Sequence, residues 1–128
     1  MSLEIVTGCY SHYRPKHGIA VRISLGKPKW FPHGGDDLPS IRALTPAPWY
    51  WQEPDDETFE RRFRQQLHRW TVDRVLADLM ATAVQLDCPR LVLCCFEADP
   101  MACHRSMFSR WWLEKTGEEI LDLSEVSR

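Results

Sequence analysis

Hydrophobic side chains follow strand-like patterns in four parts of the chain. Residues 19–25 alternate apolar and polar positions, and this period of two predicts a half-buried strand. Residues 3–7 predict a shorter first strand, and residues 119–123 predict a last one. Residues 91–96 form a continuous apolar run, which is typical of a strand covered on both faces. Six of the nine prolines fall at positions 28–54, so we expect that stretch to be mostly irregular.

Two apolar stripes at helical spacing follow the irregular stretch. Three acidic residues at positions 55–57 suit the positive end of a helix dipole and predict the start of a helix. On a helical wheel the second stripe lies about half a turn from the first, so we predict a break between Trp70 and Val72. The first stripe comprises Phe59, Phe63, Leu67 and Trp70, and the second comprises Val72, Val75, Leu76, Leu79, Met80 and Ala83.

A further helix is predicted after the third strand. Asp99 and Pro100 suit the N-cap and first helical position, and Gly117 suits the C-terminal end. Its predicted buried side carries Met107, Phe108, Trp111 and Trp112. The late strand–helix–strand alternation favours an α/β fold with a small, mostly parallel sheet and helices on both of its faces.

Length and composition predict one domain over residues 1–128. Hydrophobic residues make up 44% of the chain and the net charge is −2, so no strong nucleic-acid signal is present, although a local basic patch stays open. No apolar stretch approaches the roughly 20 residues that span a bilayer. The first residues lack the pattern of a signal peptide, so we expect a cytoplasmic protein with no membrane partner. Five cysteines in that compartment are expected to be thiols or ligands.

Reactive side chains concentrate where the third strand ends and the next helix starts, which is where α/β proteins place their sites. The helix dipole and Arg105 would lower the pKa of the Cys103 thiol and make it a nucleophile, with Cys95 beside it; alternatively Cys103 is a small buried thiol. Glu97 would act as a general base or bind a ribose or base edge; alternatively it pairs with Arg105 or caps the helix. His104 would shuttle protons or merely bond a backbone carbonyl.

A metal site is the weaker interpretation of this cluster. Cys95, Cys103 and His104 are zinc ligands by type, with Cys9 or His12 as a fourth. Neighbours on a helix point about 100° apart, however, so Cys103 and His104 cannot easily share one ion. No Cys-x-x-Cys pair occurs. We therefore expect no metal, and no motif names a cofactor.

Two loops are candidate ligand-binding segments. Lys27, Lys29 and Trp30 suit a phosphate and a stacked base, or else form a solvated loop. If the first three strands are parallel, this loop, the loop Tyr10-Ser11-His12 and the segment at Glu97 face one crevice. Arg105 and the two lysines would then hold the anion. The aromatic residues at 49–51 form either a lid or an exposed docking patch.

The run Cys95-Phe96-Glu97, then Asp99-Pro100, then Cys103-His104-Arg105 resembles the signature of a bacterial domain-of-unknown-function family, number 488. Residues 21–24, 27–30 and 59–67 resemble one branch of that family. The resemblance implies a compact, Rossmann-like α/β domain and no assigned activity.

Together these features predict an enzyme that acts on a small phosphorylated or nucleobase-containing ligand. The alternatives are a non-catalytic module that senses nucleotides or anions, and a protein-interaction domain with a Trp-rich surface. The expected partner is a small anionic or nucleotide-like ligand.

Overall fold

Four parallel strands form the centre of the computed structural model, which describes residues 2–34, 37–46, 49, 54–99 and 103–125. The strands are β1 (Glu4–Cys9), β2 (Ile19–Arg22), β3 (Arg90–Cys95) and β4 (Leu121–Asp122). Their order in the sheet is β2-β3-β1-β4, and every neighbouring pair is parallel. The predicted α/β class with a small parallel sheet is confirmed.

The register brings the carboxyl ends of three strands to one edge of the sheet. Cys9 of β1 lies opposite Cys95 of β3, and Arg22 of β2 lies opposite Cys94. β2 is shorter than predicted because the chain bends after Arg22, where the Ser24 hydroxyl donates to the Gly26 carbonyl at 2.7 Å. The segments that follow β1, β2 and β3 therefore all start at this edge.

The described residues hold three α-helices: α1 (Asp56–Trp70), α2 (Val72–Gln85) and α3 (His104–Thr116). The predicted break is confirmed, because α1 ends at Trp70 and Thr71 has a φ of 70°. This turn lets both apolar stripes face the sheet, since Phe63 and Leu67 of α1 share a core with Val75 and Leu79 of α2. None of these helices is long and apolar enough to cross a membrane.

The two faces of the sheet are covered differently. All three helices pack on the face that carries Ile5, Val21 and Leu91. The expectation of helices on both faces is wrong for the described residues, because loop residues bury the other face. Val6, Ala20, Val92 and Cys94 of that face pack against Tyr10, Tyr13, Phe31, Leu38 and Leu123.

Helix α3 begins later than predicted. Its N-cap is Cys103, with an extended backbone (φ −138°, ψ 147°), and Asp99 lies four residues earlier. Cys103 is tied to the end of β3, so helical hydrogen bonding starts only after it. The predicted Pro100 position lies outside the described residues.

Candidate functional site

The structure joins Cys95 and Cys103 by a disulfide. Cys95 ends β3 and is fully buried, and Cys103, the N-cap of α3, is buried with 4% exposure. The expectation of free thiols is therefore wrong for this pair, because the strand end and the helix start lie side by side. Cys9, Cys88 and Cys94 are free. Burial, with Cys9 nearby, raises the pKa of Cys94 to about 12, so that thiol stays protonated.

Arg105 lies beneath these cysteines with no exposed side-chain surface. Its Nε donates to Asp122 Oδ1 at 2.7 Å, and its Nη1 donates to Cys95 Sγ at 3.0 Å. The same Nη1 reaches the Glu97 carbonyl at 2.5 Å, and Nη2 reaches the Ala98 carbonyl at 3.0 Å. Four of the five guanidinium N–H donors are thus engaged inside the protein. The anion-binding role of Arg105 stays a prediction.

Asp122 is the partner that sequence reasoning missed. Its carboxylate also accepts hydrogen bonds from Thr7 Oγ1 at 2.7 Å and from the Ser124 hydroxyl at 2.7 Å. Burial alone would raise the pKa of Asp122, but the hydrogen bonds from Arg105, Thr7 and Ser124 lower it overall. The only signal in the sequence was one acidic residue between two leucines of a predicted strand.

His104 is buried and bonded in one orientation. Its Nε2 lies 2.6 Å from the carbonyl oxygen of Ile23. A carbonyl oxygen only accepts, so Nε2 carries the hydrogen and Nδ1 keeps a lone pair. Nδ1 lies 3.7 Å from Cys103 Sγ. Burial, partly offset by the Ile23 carbonyl, lowers the pKa of His104 to about 4, so the ring is neutral at pH 7.

A cleft of about 770 Å³ opens beside Cys103. It brings together three of the predicted catalytic residues, Glu97, Cys103 and His104, while Cys95 is buried behind them. Phe59, Phe96 and Met107 give it apolar walls, and Asp56, Glu57, Glu60 and Glu97 make it acidic. Arg110 also lines the cleft, and it pairs with Glu60 at 3.5 Å.

The predicted ligand-binding loops meet near the cleft through aromatic rings. Tyr10 is buried, and its ring centroid lies 5.0 Å from that of Phe96 and 6.4 Å from that of Trp30. Its hydroxyl lies 2.7 Å from Ser24 Oγ, and burial raises its pKa above the usual range. The cleft lining takes residues 24–26 from the second loop and excludes Lys27 and Lys29.

The remaining predicted ligand-binding residues lie in solvent. Lys27, Lys29, Ser11 and His12 are all exposed. Ser11 Oγ lies 3.3 Å from Cys9 Sγ within its own loop. The ligand-binding roles of these residues stay predictions.

The aromatic segment at 49–51 is described only at its first residue. The half-buried Trp49 packs its ring 5.3 Å from that of Phe59, which lines the cleft. Tyr50 and Trp51 lie outside the described residues.

One group of side chains has the spacing of a metal site. Cys95 Sγ, Cys103 Sγ and a Glu97 carboxylate oxygen lie within 4.8 Å of one another. Zinc accepts thiolate and carboxylate ligands, so these are the residues that could hold it once the disulfide is reduced. His104 is not part of the group.

Comparison with known proteins shows the family of the chain. No curated protein and no solved structure matches the chain. A family model, described as the active DUF488-N3 subclade, matches residues 39–117, which is more than half of the 128 residues. That match includes α1, α2, β3, the site at Glu97 and Cys103, and α3. The chain therefore belongs to the DUF488 family, in its DUF488-N3 subclade.

Proposed function

We propose that the protein is an enzyme in which the Cys103 thiol attacks a nucleobase-containing ligand held in the cleft. The observation that carries the proposal is the 3.7 Å distance between Cys103 Sγ and His104 Nδ1, while the other ring nitrogen is hydrogen-bonded to the Ile23 carbonyl. A nucleophile beside a base that a third group orients is the recurring arrangement of covalent catalysis. The name of the matching subclade, which calls it active, also supports an enzyme.

The reaction needs the reduced pair. A dithiol reductant opens the Cys95–Cys103 bond and becomes a disulfide itself, which leaves two thiols. As Cys103 Sγ attacks an electrophilic carbon, its proton passes to His104 Nδ1. The bond from that carbon to its leaving group breaks, and His104 returns the proton to the leaving group. Water then attacks the same carbon and breaks its bond to sulfur, so the ligand leaves with the water oxygen and the Cys103 thiol is restored with a water proton. Because His104 is neutral at rest, proton transfer accompanies the attack rather than preceding it.

The charge of the cleft favours the nucleobase over the phosphate as the group bound beside Cys103. Four carboxylates and one ion-paired arginine stand among the described residues that line it, and this balance repels a phosphate. Carboxylates accept hydrogen bonds from the amino group of a base or from ribose hydroxyls. The apolar rings of Phe59 and Phe96 offer faces for stacking.

The test uses the reduced protein, a panel of nucleosides, and mass spectrometry of protein and products. We expect iodoacetamide to alkylate Cys103 faster than Cys88, the half-buried free cysteine, and bound nucleoside to slow that alkylation. Cys103→Ser should abolish turnover, whereas Cys88→Ser should keep it. Turnover by the Cys103→Ser protein would refute the proposal, and nucleoside binding without any product would support the sensing module instead.

The disulfide itself favours a second candidate, thiol–disulfide exchange with a partner protein. In that role Cys103, which lines the cleft, would attack the partner's disulfide, and Cys95, which accepts a hydrogen bond from Arg105, would resolve the mixed disulfide. Cys95→Ser separates the two functions. It should stop exchange after a trapped mixed disulfide forms, but leave turnover of a nucleoside by Cys103 intact.

A further inference from the structure

We infer that a second cavity, formed where α1 meets α2, binds single-stranded nucleic acid. The cavity has a volume of about 680 Å³ and lies on the helix side of the sheet. Four arginines and two tryptophans line it, and none of the described lining residues is acidic. This arginine–tryptophan groove comprises Arg42, Arg62, Arg69, Arg74, Trp49 and Trp70.

Among the residues that the structure describes, none forms a salt bridge that neutralises the positive charge of the groove. All four arginines are exposed, and none takes part in a salt bridge with any described residue. Two exposed helix carboxylates, Glu60 and Glu114, pair with Arg110 and Arg64, which lie outside the groove. A chain with a net charge of −2 thus carries a local field that attracts anions.

The spacing of the arginines exceeds the size of one phosphate. Arg62 and Arg69 are seven residues apart on α1, which is about 10 Å along the helix axis. Arg74 comes from α2 and Arg42 from the 3-10 helix Arg42–Leu44, so the charges spread across three elements. A ligand that meets them together carries several negative charges along an extended backbone.

The two tryptophans of the groove favour a nucleic-acid strand over a simple polyanion as the ligand. The guanidinium carbon of Arg74 lies 5.2 Å from the centre of the Trp70 ring, a cation–π contact that the turn at Thr71 allows. Trp49 and Trp70 are half-buried, so each ring is held by the protein while part of it stays accessible. Grooves that combine arginines with aromatic stacking surfaces are the general solution for binding single strands.

The groove also lies next to the acidic cleft. Leu25 and Pro46 line both cavities. A strand whose phosphates meet the arginines therefore has a neighbouring site that repels phosphates and accepts a base. The role of the base in the acidic cleft rests on the proposed function. Binding of the strand in the arginine–tryptophan groove does not depend on Cys103.

The test is fluorescence anisotropy with a labelled 12-nucleotide poly(dT) strand, at 50 and 200 mM salt. We expect binding that weakens with salt, with a log–log slope of about −0.7 for each phosphate neutralised. Arg69→Ala and Arg74→Ala should each weaken binding at least threefold and reduce the slope. Arg69→Glu combined with Arg74→Glu should abolish binding. Arg14→Ala, an exposed arginine in the loop after β1, should bind within twofold of the parent.

Further arms separate the alternatives. Cys103→Ser should bind the strand as the parent does, so failure of the thiol chemistry leaves this result standing. Trp70→Phe should keep most of the affinity and Trp70→Ala should lose it, with circular dichroism confirming that both fold. Equal competition by polyglutamate would show that the groove takes acidic peptides and would overturn the inference. Equal affinity for a duplex, or unchanged binding by the double glutamate variant, would overturn it as well.

Discussion

Replacing Arg105 with alanine should destabilise the protein by about 3–5 kcal/mol, the range for removing one partner of a buried ion pair. The side chains of Arg105 and Asp122 are 0% and 7% exposed, so water screens their interaction little. The alanine variant leaves the Asp122 carboxylate buried with only its neutral donors. It also removes the donor that holds the Glu97 and Ala98 carbonyls beside the cleft.

The measurement is urea unfolding of the oxidised protein, followed by tryptophan fluorescence. With a urea dependence of about 2 kcal/mol/M, a loss of this size lowers the unfolding midpoint by about 2 M. Arg64→Ala is the matched control, because Arg64 pairs with Glu114 at 3.3 Å but both side chains are about half exposed. That variant should lose less than about 1 kcal/mol. A double-mutant cycle of Arg105→Ala with Asp122→Asn should show strong coupling.

An Arg105→Ala protein that unfolds at the parent's midpoint, yet no longer binds any anionic ligand, would show that the guanidinium serves the ligand rather than the fold. The sequence-based prediction of an anion-binding Arg105 would then hold.

Other predictions concern single positions. Because the folded pKa of His104 is about 4 and its ordinary value is 6.5, the unfolded chain binds this proton first as pH falls. Unfolding free energy from urea titrations should drop by about 3 kcal/mol between pH 7 and 4, and His104→Gln should lack that part of the drop. Gly18→Ala should lower the melting temperature more than Gly117→Ala does. Both glycines have a positive φ, but only at Gly18 would a Cβ meet a carbonyl oxygen, at 2.6 Å. Tyr10→Phe should cost about 1 kcal/mol in the same melts by removing the buried hydrogen bond with Ser24.

The elements of the fold were predictable because burial imposes a period on the sequence. The alternation that starts at Ile19 and the apolar run that starts at Leu91 each mark a strand, and the shift of the apolar stripe marks the turn at Thr71. The covering of the second face was not predictable in the same way. Phe31 and Leu38 come from a proline-rich segment without a period, and only the folded chain shows that they pack on Val92 and its neighbours.

The position of the candidate site in the fold could be predicted from the sequence, but the hydrogen bonds formed by its residues could not. Cys95, Glu97 and Cys103 are found together because a strand end and a helix start meet at the edge of a parallel sheet. Which groups Arg105 contacts depends on β4, whose Asp122 lies 17 residues further along the chain. Local patterns cannot reveal such a pairing.

The net charge of the whole chain did not indicate the positive charge of the second cavity, for a related reason. Arg62 and Arg69 belong to the polar side of one helix, which in a sequence is indistinguishable from an ordinary solvated face. The turn at Thr71 and the segment that carries Arg42 add further arginines to the same groove. Sums over the whole chain therefore give −2 while one surface is strongly positive.

The opposite charges of the two neighbouring cavities impose a direction on any ligand that enters both. Phosphates placed in the cleft would face the carboxylates of Asp56, Glu57, Glu60 and Glu97, and like charges brought so close repel strongly. A ligand with phosphates at one end and hydrogen-bond donors at the other avoids that cost only when its phosphates lie among the arginines. In that orientation the base faces Cys103, so the charge pattern would select the reacting end before any covalent step.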